Sequence, residues 1–155
     1  AYVALGANLG DPKATVLAAF AALANLPESR LARCSSLYRT APVGILSQPD
    51  FVNAVALLET TLAPEALLDA LLDIEARFGR IRRERNGPRT LDLDLLLYDD
   101  IELDLPRLTL PHPRLHLRAF VLLPLAEVAP DLAIPRRGSV AAWLPAVANQ
   151  GIVRL

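Results

Sequence analysis

The spacing of hydrophobic and polar positions changes period several times along this chain, and each change marks an element. Tyr2–Leu5 is a short apolar strand candidate, followed by the turn residues Gly6-Ala7-Asn8-Leu9-Gly10. Asp11 has the chemistry of an N-cap, and Pro12 suits the first helical position. From Lys13 to Leu26 the spacing of Val16, Phe20 and Leu23 predicts a helix that Pro27 ends. Ser35–Arg39 reads as extended, and residues 40–50 read as a long Pro/Gly loop. Phe51–Thr60 alternates, with Phe51, Asn53, Val55 and Leu57 on one side and Val52, Ala54, Ala56 and Leu58 on the other. A second helix opens at Pro64 and closes at Gly79, with Leu67, Leu68, Leu71, Leu72, Ile74, Glu75 and Phe78 on and beside its apolar stripe. Further on, Arg107–Leu110 is a short strand ending at Pro111-His112-Pro113. Arg118–Val128 is a helix kinked or broken at Pro124, Ser139 caps a short helix through Trp143, and Ile152–Leu155 returns to the sheet. This order lacks regular βαβα alternation. It predicts one α+β domain over residues 1–155, a ferredoxin-like plait whose mainly antiparallel sheet is covered by helices.

One strand candidate carries chemistry. After the turn signal Gly87-Pro88, residues 91–98 put Leu91, Leu93, Leu95 and Leu97 on one face and Asp92, Asp94, Leu96 and Tyr98 on the other. The two carboxylates point the same way from Cα atoms roughly 6.5–7 Å apart. That spacing lets their side chains converge on two divalent cations about 3.5–4 Å apart. Like charges so placed repel unless a cation or an arginine intervenes. Just upstream lie Arg77, Arg80, Arg82, Arg83, Arg85 and Arg89, against only Glu75 and Glu84. Carboxylates that hold metal beside a run of guanidinium groups suit a polyphosphate. The run has little apolar content, so it is expected to order around bound phosphates.

Composition narrows the class. The 155 residues are 53% hydrophobic, 21% charged and 5% aromatic, which reads as a globular protein with a real core. A formal net charge of −1 argues against a general nucleic-acid or anionic-membrane binder, so phosphate chemistry must rest on local charge. The single cysteine, Cys34, excludes an intramolecular disulfide and offers no zinc cluster, and it fits a reducing cytoplasm. No signal peptide or transmembrane helix is expected.

The segment Arg85-Asn86-Gly87-Pro88-Arg89-Thr90-Leu91-Asp92-Leu93-Asp94-Leu95-Leu96 resembles the signature of the 6-hydroxymethyl-7,8-dihydropterin pyrophosphokinases of folate biosynthesis. Further blocks resemble the same family: Ala4–Asp11, Tyr38–Gly44, Gln48–Ala54, Leu110–Arg114 and Arg118–Leu122. The resemblance implies transfer of the β,γ-pyrophosphoryl unit of ATP to the hydroxymethyl group of the pterin, leaving AMP. By that resemblance Asp92 and Asp94 hold two Mg²⁺ ions, and Arg80, Arg89 and Asp94 are catalytic. Glu75, Arg82, Arg83, Leu95, Arg107, Thr109, His112 and Arg118 meet ATP. Phe51 and Phe120 sandwich the pterin, Asn53 is its side-chain partner, and backbone groups of Thr40, Pro42 and Val43 read its edge. The chain departs from some relatives at Asn86, where an aromatic closes over the pterin, and at Leu72, where a polar side chain touches the nucleotide.

Two other readings fit parts of the pattern. A two-metal nucleotidyltransferase also presents strand aspartates, but it needs a nucleic-acid groove that the net charge does not favour. A ferredoxin-like RNA-binding module stacks bases on sheet aromatics, whereas Asp92 and Asp94 would repel RNA phosphates unless metal intervened. The expected partners are therefore ATP and the pterin, without nucleic acid or membrane, and the expected state is a monomer.

Overall fold

The structure, a computed structural model, describes residues 1–41, 48–79 and 90–155. Its sheet is laid down by β1 (Tyr2–Ala7), β2 (Ser29–Cys34), β3 (Tyr38–Thr40), β4 (Phe51–Thr60) and β5 (Asp92–Leu97). The helix α1 (Pro12–Ala24) separates β1 from β2, and α2 (Pro64–Arg77) separates β4 from β5. β6 (Leu103–Leu105) and β7 (Leu108–Leu110) form a hairpin, followed by α3 (Ala119–Val128). A second hairpin, β8 (Ala133–Ile134) with β9 (Gly138–Ser139), leads into α4 (Val140–Trp143) and finally β10 (Ile152–Arg154).

The main sheet runs β10-β3-β4-β1-β5, every pair is antiparallel, and β2 pairs the far half of β4. With β2 and β3 sharing one position beside β4, this is the strand order of the expected ferredoxin-like plait. The Asp11 carboxylate caps α1 by accepting the Ala14 N–H at 3.2 Å, as its place before Pro12 predicts.

Two apolar layers hold the sheet. On one face Val3, Leu5, Ala7, Val52, Ala54, Ala56, Leu58, Leu91, Leu93 and Leu95 pack under α1 and α2, through Val16, Phe20, Leu23, Leu67, Leu71 and Ile74. On the other face Ala4, Val55, Leu96 and Leu97 meet α3 through Val121, Leu122, Leu125 and Val128. Burying one Leu- or Val-sized side chain contributes about 1.5–3 kcal/mol, so both layers hold the strands firmly in register.

Several expectations need correction. β1 continues through Gly6 and Ala7, because both pair with β4. The extended segment expected at Ser35–Arg39 is strand only from Tyr38, where β3 starts, and a further strand, β2, ends just before it at Cys34. Leu97 does not share a face with Leu95. The β1–β5 pairing shifts between Tyr2 and Val3, whose partners are Leu97 and Leu95, so Leu96 is an extra residue and the alternation reverses. Leu97 therefore joins the α3 layer, and Tyr98 packs with the α1 and α2 layer. Leu72, read as part of the α2 stripe, is 40% exposed. The helix α3 runs through Pro124 without breaking, anchored by its buried neighbours.

Candidate active site

The face opposite α1 and α2 carries a row of residues with unlike chemistry. Tyr38 pairs with Asn53, Asn53 with Gly6, and Gly6 with Asp92, so one cross-strand row spans β3, β4, β1 and β5. Directly opposed residues of antiparallel strands point to the same face. Asn53 and Asp92 thus look out from the same face, two strands and about 10 Å apart, with Gly6 as the floor between them. The neighbouring rows add Thr40 with Phe51 on one flank and Ala4 with Asp94 on the other.

Small residues on β1 keep this floor open. A Cβ added to Gly6 would lie 3.0 Å from the Asn53 Oδ1 atom, closer than ordinary contact. The Asn53 carboxamide is oriented by its Nδ2, which donates to Thr40 Oγ1 at 2.8 Å, leaving Oδ1 over Gly6. After β1, the buried Asn8 side chain donates to Gln48 Oε1 and to the Pro49 carbonyl, each at 2.9 Å. These bonds fix the approach to β4 and hence the place of Phe51.

On β5, Asp92 and Asp94 are half-buried on the same side, as the alternation predicts. Their backbone is held from the opposite edge. Glu75, buried on α2, accepts the Leu93 N–H at 2.7 Å through one carboxylate oxygen. An acid on an apolar helical stripe thus serves a backbone donor that β1 cannot reach.

His112 reaches the same neighbourhood after the cis Leu110–Pro111 bond. Its N–H donates to the Leu96 carbonyl at 2.8 Å, tying it to β5 just beyond the aspartates. Burial, then the charges of Arg118 and Arg114, push its imidazole pKa down to about 4, and Asp92 opposes them. At neutral pH the ring is therefore uncharged. Nδ1 accepts the Arg114 N–H at 3.2 Å, so Nε2 carries the proton and is a donor.

The start of α3 contributes Phe120, half-buried, with the Arg118 guanidinium 5.3 Å from its ring centroid. Pro124 lacks the N–H that would bond the Phe120 carbonyl four residues back, so that carbonyl has no i+4 donor. Thr109 lies in the wall of a cavity of about 330 Å³ between the two hairpins, with Asp104, Pro111 and Arg137. Arg107 is ion-paired with Asp69 on α2 at the surface. The Leu95 side chain is buried in the α1 and α2 layer, so only its backbone can meet a ligand. Pro42, Val43, Arg80, Arg82, Arg83, Asn86 and Arg89, with the expected ordering of the arginine run, lie outside the described residues.

Gly6 and Glu75 have structural roles that patterns along the chain do not reveal. Along the chain Gly6 stands out as a turn residue in a family-like block, and Glu75 as an acid on an apolar stripe that the resemblance sets near ATP; neither signal shows these contacts. No group of three or more His, Cys, Asp or Glu residues forms a metal cluster among the described residues. Two carboxylates are a hard oxygen donor set that fits Mg²⁺, which keeps several waters and takes its remaining ligands from phosphates.

Paired acids on one sheet face, with a neutral histidine donor near them, suit an enzyme that transfers phosphoryl groups. Comparison with known proteins makes this specific. Residues 2–130 match the family model described as 7,8-dihydro-6-hydroxymethylpterin-pyrophosphokinase, and the chain belongs to that family. It is 53% identical over 154 residues to a 2-amino-4-hydroxy-6-hydroxymethyldihydropteridine pyrophosphokinase of Pseudomonas aeruginosa, covering 99% of this chain and 95% of that one. The protein of the same description from Haemophilus influenzae is 44% identical over 155 residues, covering 100% and 97%. In fold, the chain is similar to the Plasmodium falciparum HPPK-DHPS wild type crystallised with SDX-DHP, with a TM-score of 0.69 and 15% identity. That match covers 94% of this chain and 43% of the other, and it shows the fold alone. The chain is an ATP-dependent pyrophosphokinase that transfers pyrophosphate to hydroxymethyldihydropterin in folate biosynthesis.

Proposed function

We propose that the reaction takes place on the sheet face that carries Asp92 and Asp94, with the pterin lying over Gly6 and Asn53. The observation that carries this reading is the cross-strand row Asn53–Gly6–Asp92. It sets a carboxamide suited to a flat heterocycle about 10 Å from a pair of carboxylates suited to metal. A pterin anchored at Asn53 would point its hydroxymethyl group toward Asp92.

Phe120 supplies one stacking face and Phe51 the other, and Thr40 orients Asn53 while its backbone lies at the pterin's edge. Asp92 and Asp94 hold Mg²⁺, two ions in all, which when bound screens the phosphates and lowers the cost of deprotonating the attacking hydroxyl. The hydroxymethyl oxygen attacks the β-phosphorus, the bond from that phosphorus to the oxygen bridging the α-phosphate breaks, AMP leaves with that oxygen, and the hydroxyl proton is released to water. His112 donates from Nε2 to a triphosphate oxygen. Because it is neutral, it adds a hydrogen bond without competing with the metal for Asp92. Arg118, Thr109 and Arg107 flank the nucleotide. The period of two along β5 turns the Leu95 backbone to the same outer edge as the Leu93 N–H, where it can read the base. Glu75 acts on the nucleotide side through β5. Arg80, Arg82, Arg83 and Arg89 complete the phosphate contacts as forked donors. Pro42 and Val43 read the pterin through their backbone, Pro42 through its carbonyl alone.

We place the whole reaction in a single domain spanning residues 1–155, acting as a monomer in the cytoplasm without nucleic acid. None of the described helices is long and apolar enough to cross a membrane. Isothermal titration with Mg²⁺ and a non-hydrolysable ATP analogue tests the metal assignment. Wild type should bind the analogue tightly only with Mg²⁺, and Asp92→Asn should lose that Mg²⁺ dependence. Unchanged Mg²⁺ dependence in Asp92→Asn would place the metal elsewhere.

A further inference from the structure

The first turn of α3, which carries Phe120 and follows Arg118, is held from an unexpected place. The helix has no cap from its own N-cap residue: the Arg118 side chain makes no capping bond and lies instead over the Phe120 ring. The first backbone N–H groups of a helix need partners from outside it. Here the Ala119 N–H donates to Gln150 Oε1 at 2.8 Å, from a residue 31 positions away. The same carboxamide donates from Nε2 to the Leu117 carbonyl at 3.0 Å. Gln150 therefore grips the backbone on both sides of Arg118.

Gln150 is itself fixed. Its N–H donates to the Val147 carbonyl at 3.0 Å, and two residues later β10 begins with Ile152 paired to Thr40. The segment leaving Gln150 thus runs straight into the strand that flanks Thr40 on β3. Phe120 and Thr40 lie on the two sides of the proposed pterin slot, and this short segment joins them. At the other end of α3, Glu127 accepts from the Ser36 N–H, the Ser36 hydroxyl and the Tyr38 hydroxyl at 2.9, 2.7 and 2.8 Å. One end of the helix is pinned to β3 by Glu127 and the other to β10 by Gln150. The residues matching the family model end at 130, so Gln150 lies beyond them.

We infer that Gln150 is a positioning residue for the reaction: its carboxamide, anchored by β10, sets how far Arg118 and Phe120 stand from Thr40 and Asn53. It touches no substrate and acts through the peptide on either side of Arg118. The inference rests on the reading of Phe120 as one face of the pterin slot.

The test is a double-mutant cycle on the full chain, with 6-hydroxymethyl-7,8-dihydropterin titrated in the presence of Mg²⁺ and a non-hydrolysable ATP analogue. Gln150→Met keeps the bulk and removes both bonds, while Gln150→Glu restores an acceptor for the Ala119 N–H. The expected result is a pterin Kd raised about fivefold in Gln150→Met, partly recovered in Gln150→Glu, and less than about twofold further weakening when Gln150→Met is added to Phe120→Ala. Circular dichroism of Gln150→Met should remain that of the folded protein. A full fivefold effect persisting in the Phe120→Ala background would show general loosening and overturn the inference. So would an unchanged Kd in Gln150→Met alongside a weakened Phe120→Ala, and in that case the site reading stands. If Phe120→Ala itself binds the pterin normally, the slot reading fails and takes this inference with it.

Discussion

Gly6→Ala gives a sharp test of the floor between Asn53 and Asp92. The added methyl would sit 3.0 Å from Asn53 Oδ1, where a comfortable carbon–oxygen contact needs a few tenths of an ångström more. β1 cannot retreat, because it is paired on both sides, with β4 and β5. The carboxamide must move instead, and its bond to Thr40 Oγ1 at 2.8 Å resists this. A net hydrogen bond is worth about 0.5–1.5 kcal/mol, so misplacing one bond to the pterin should raise its Kd about 2- to 13-fold. Affinity for the ATP analogue should stay within about twofold, since neither Asp92 nor Asp94 need move. Titration calorimetry of each ligand in turn reads both numbers. In an Asn53→Ala background the added methyl has nothing to push, so Gly6→Ala should then cost little. An unchanged pterin Kd, or equal losses for both ligands, would refute the geometry of this floor.

Three further outcomes follow from the site. Phe120→Ala should weaken the pterin by about 1–3 kcal/mol, by analogy with base stacking on aromatics, and ATP by much less; equal losses by titration would indicate general disruption. Glu75→Ala leaves the buried Leu93 N–H without its acceptor and should cost about 1–3 kcal/mol in chemical denaturation, with Glu75→Gln retaining most of the stability; identical midpoints for wild type and Glu75→Ala would remove Glu75 from its supporting role. His112 should titrate near pH 4 with the proton on Nε2 when neutral, read by nitrogen NMR. Its folded pKa lies below the ordinary 6.5, so the unfolded chain binds more protons between about pH 6.5 and 4. Its share of stability should therefore fall as pH drops through that window. A His112 titration at the ordinary value would contradict its burial.

Much of the fold is readable along the chain because local signals agree. Asp11-Pro12 starts α1 where a cap and a fixed φ coincide, and β4 is readable as a long apolar strand because Val52, Ala54, Ala56 and Leu58 meet α1 and α2 on one face and Val55 meets α3 on the other. β2 escapes notice because Ser29–Cys34 is mostly half-buried or exposed, which leaves no apolar alternation to read. The extra residue at Leu96 is invisible for the opposite reason. Leu95, Leu96 and Leu97 are all apolar, so inserting one leaves the pattern unchanged while reversing the faces beyond it. Within the site, the shared side of Asp92 and Asp94 follows from a period of two. The closeness of Gly6 to Asn53, the grip of Glu75 on Leu93 and the reach of Gln150 to Leu117 and Ala119 depend on tertiary contacts 18 to 47 positions apart, which no local pattern encodes.

Asp94 and the nature of the product test the assignment of two-metal pyrophosphoryl transfer to this sheet face most directly. Wild-type protein incubated with ATP, Mg²⁺ and 6-hydroxymethyl-7,8-dihydropterin, with products separated by HPLC, should form AMP and pterin diphosphate in equal amounts. Both products should require Mg²⁺ and the pterin. Asp94→Ala should remain folded, because removing one of two like charges relieves repulsion, yet lose well over about tenfold in AMP formation as the metal loses a ligand. ADP as the nucleotide product, or Asp94→Ala retaining a tenth or more of wild-type AMP production at saturating Mg²⁺, would contradict it.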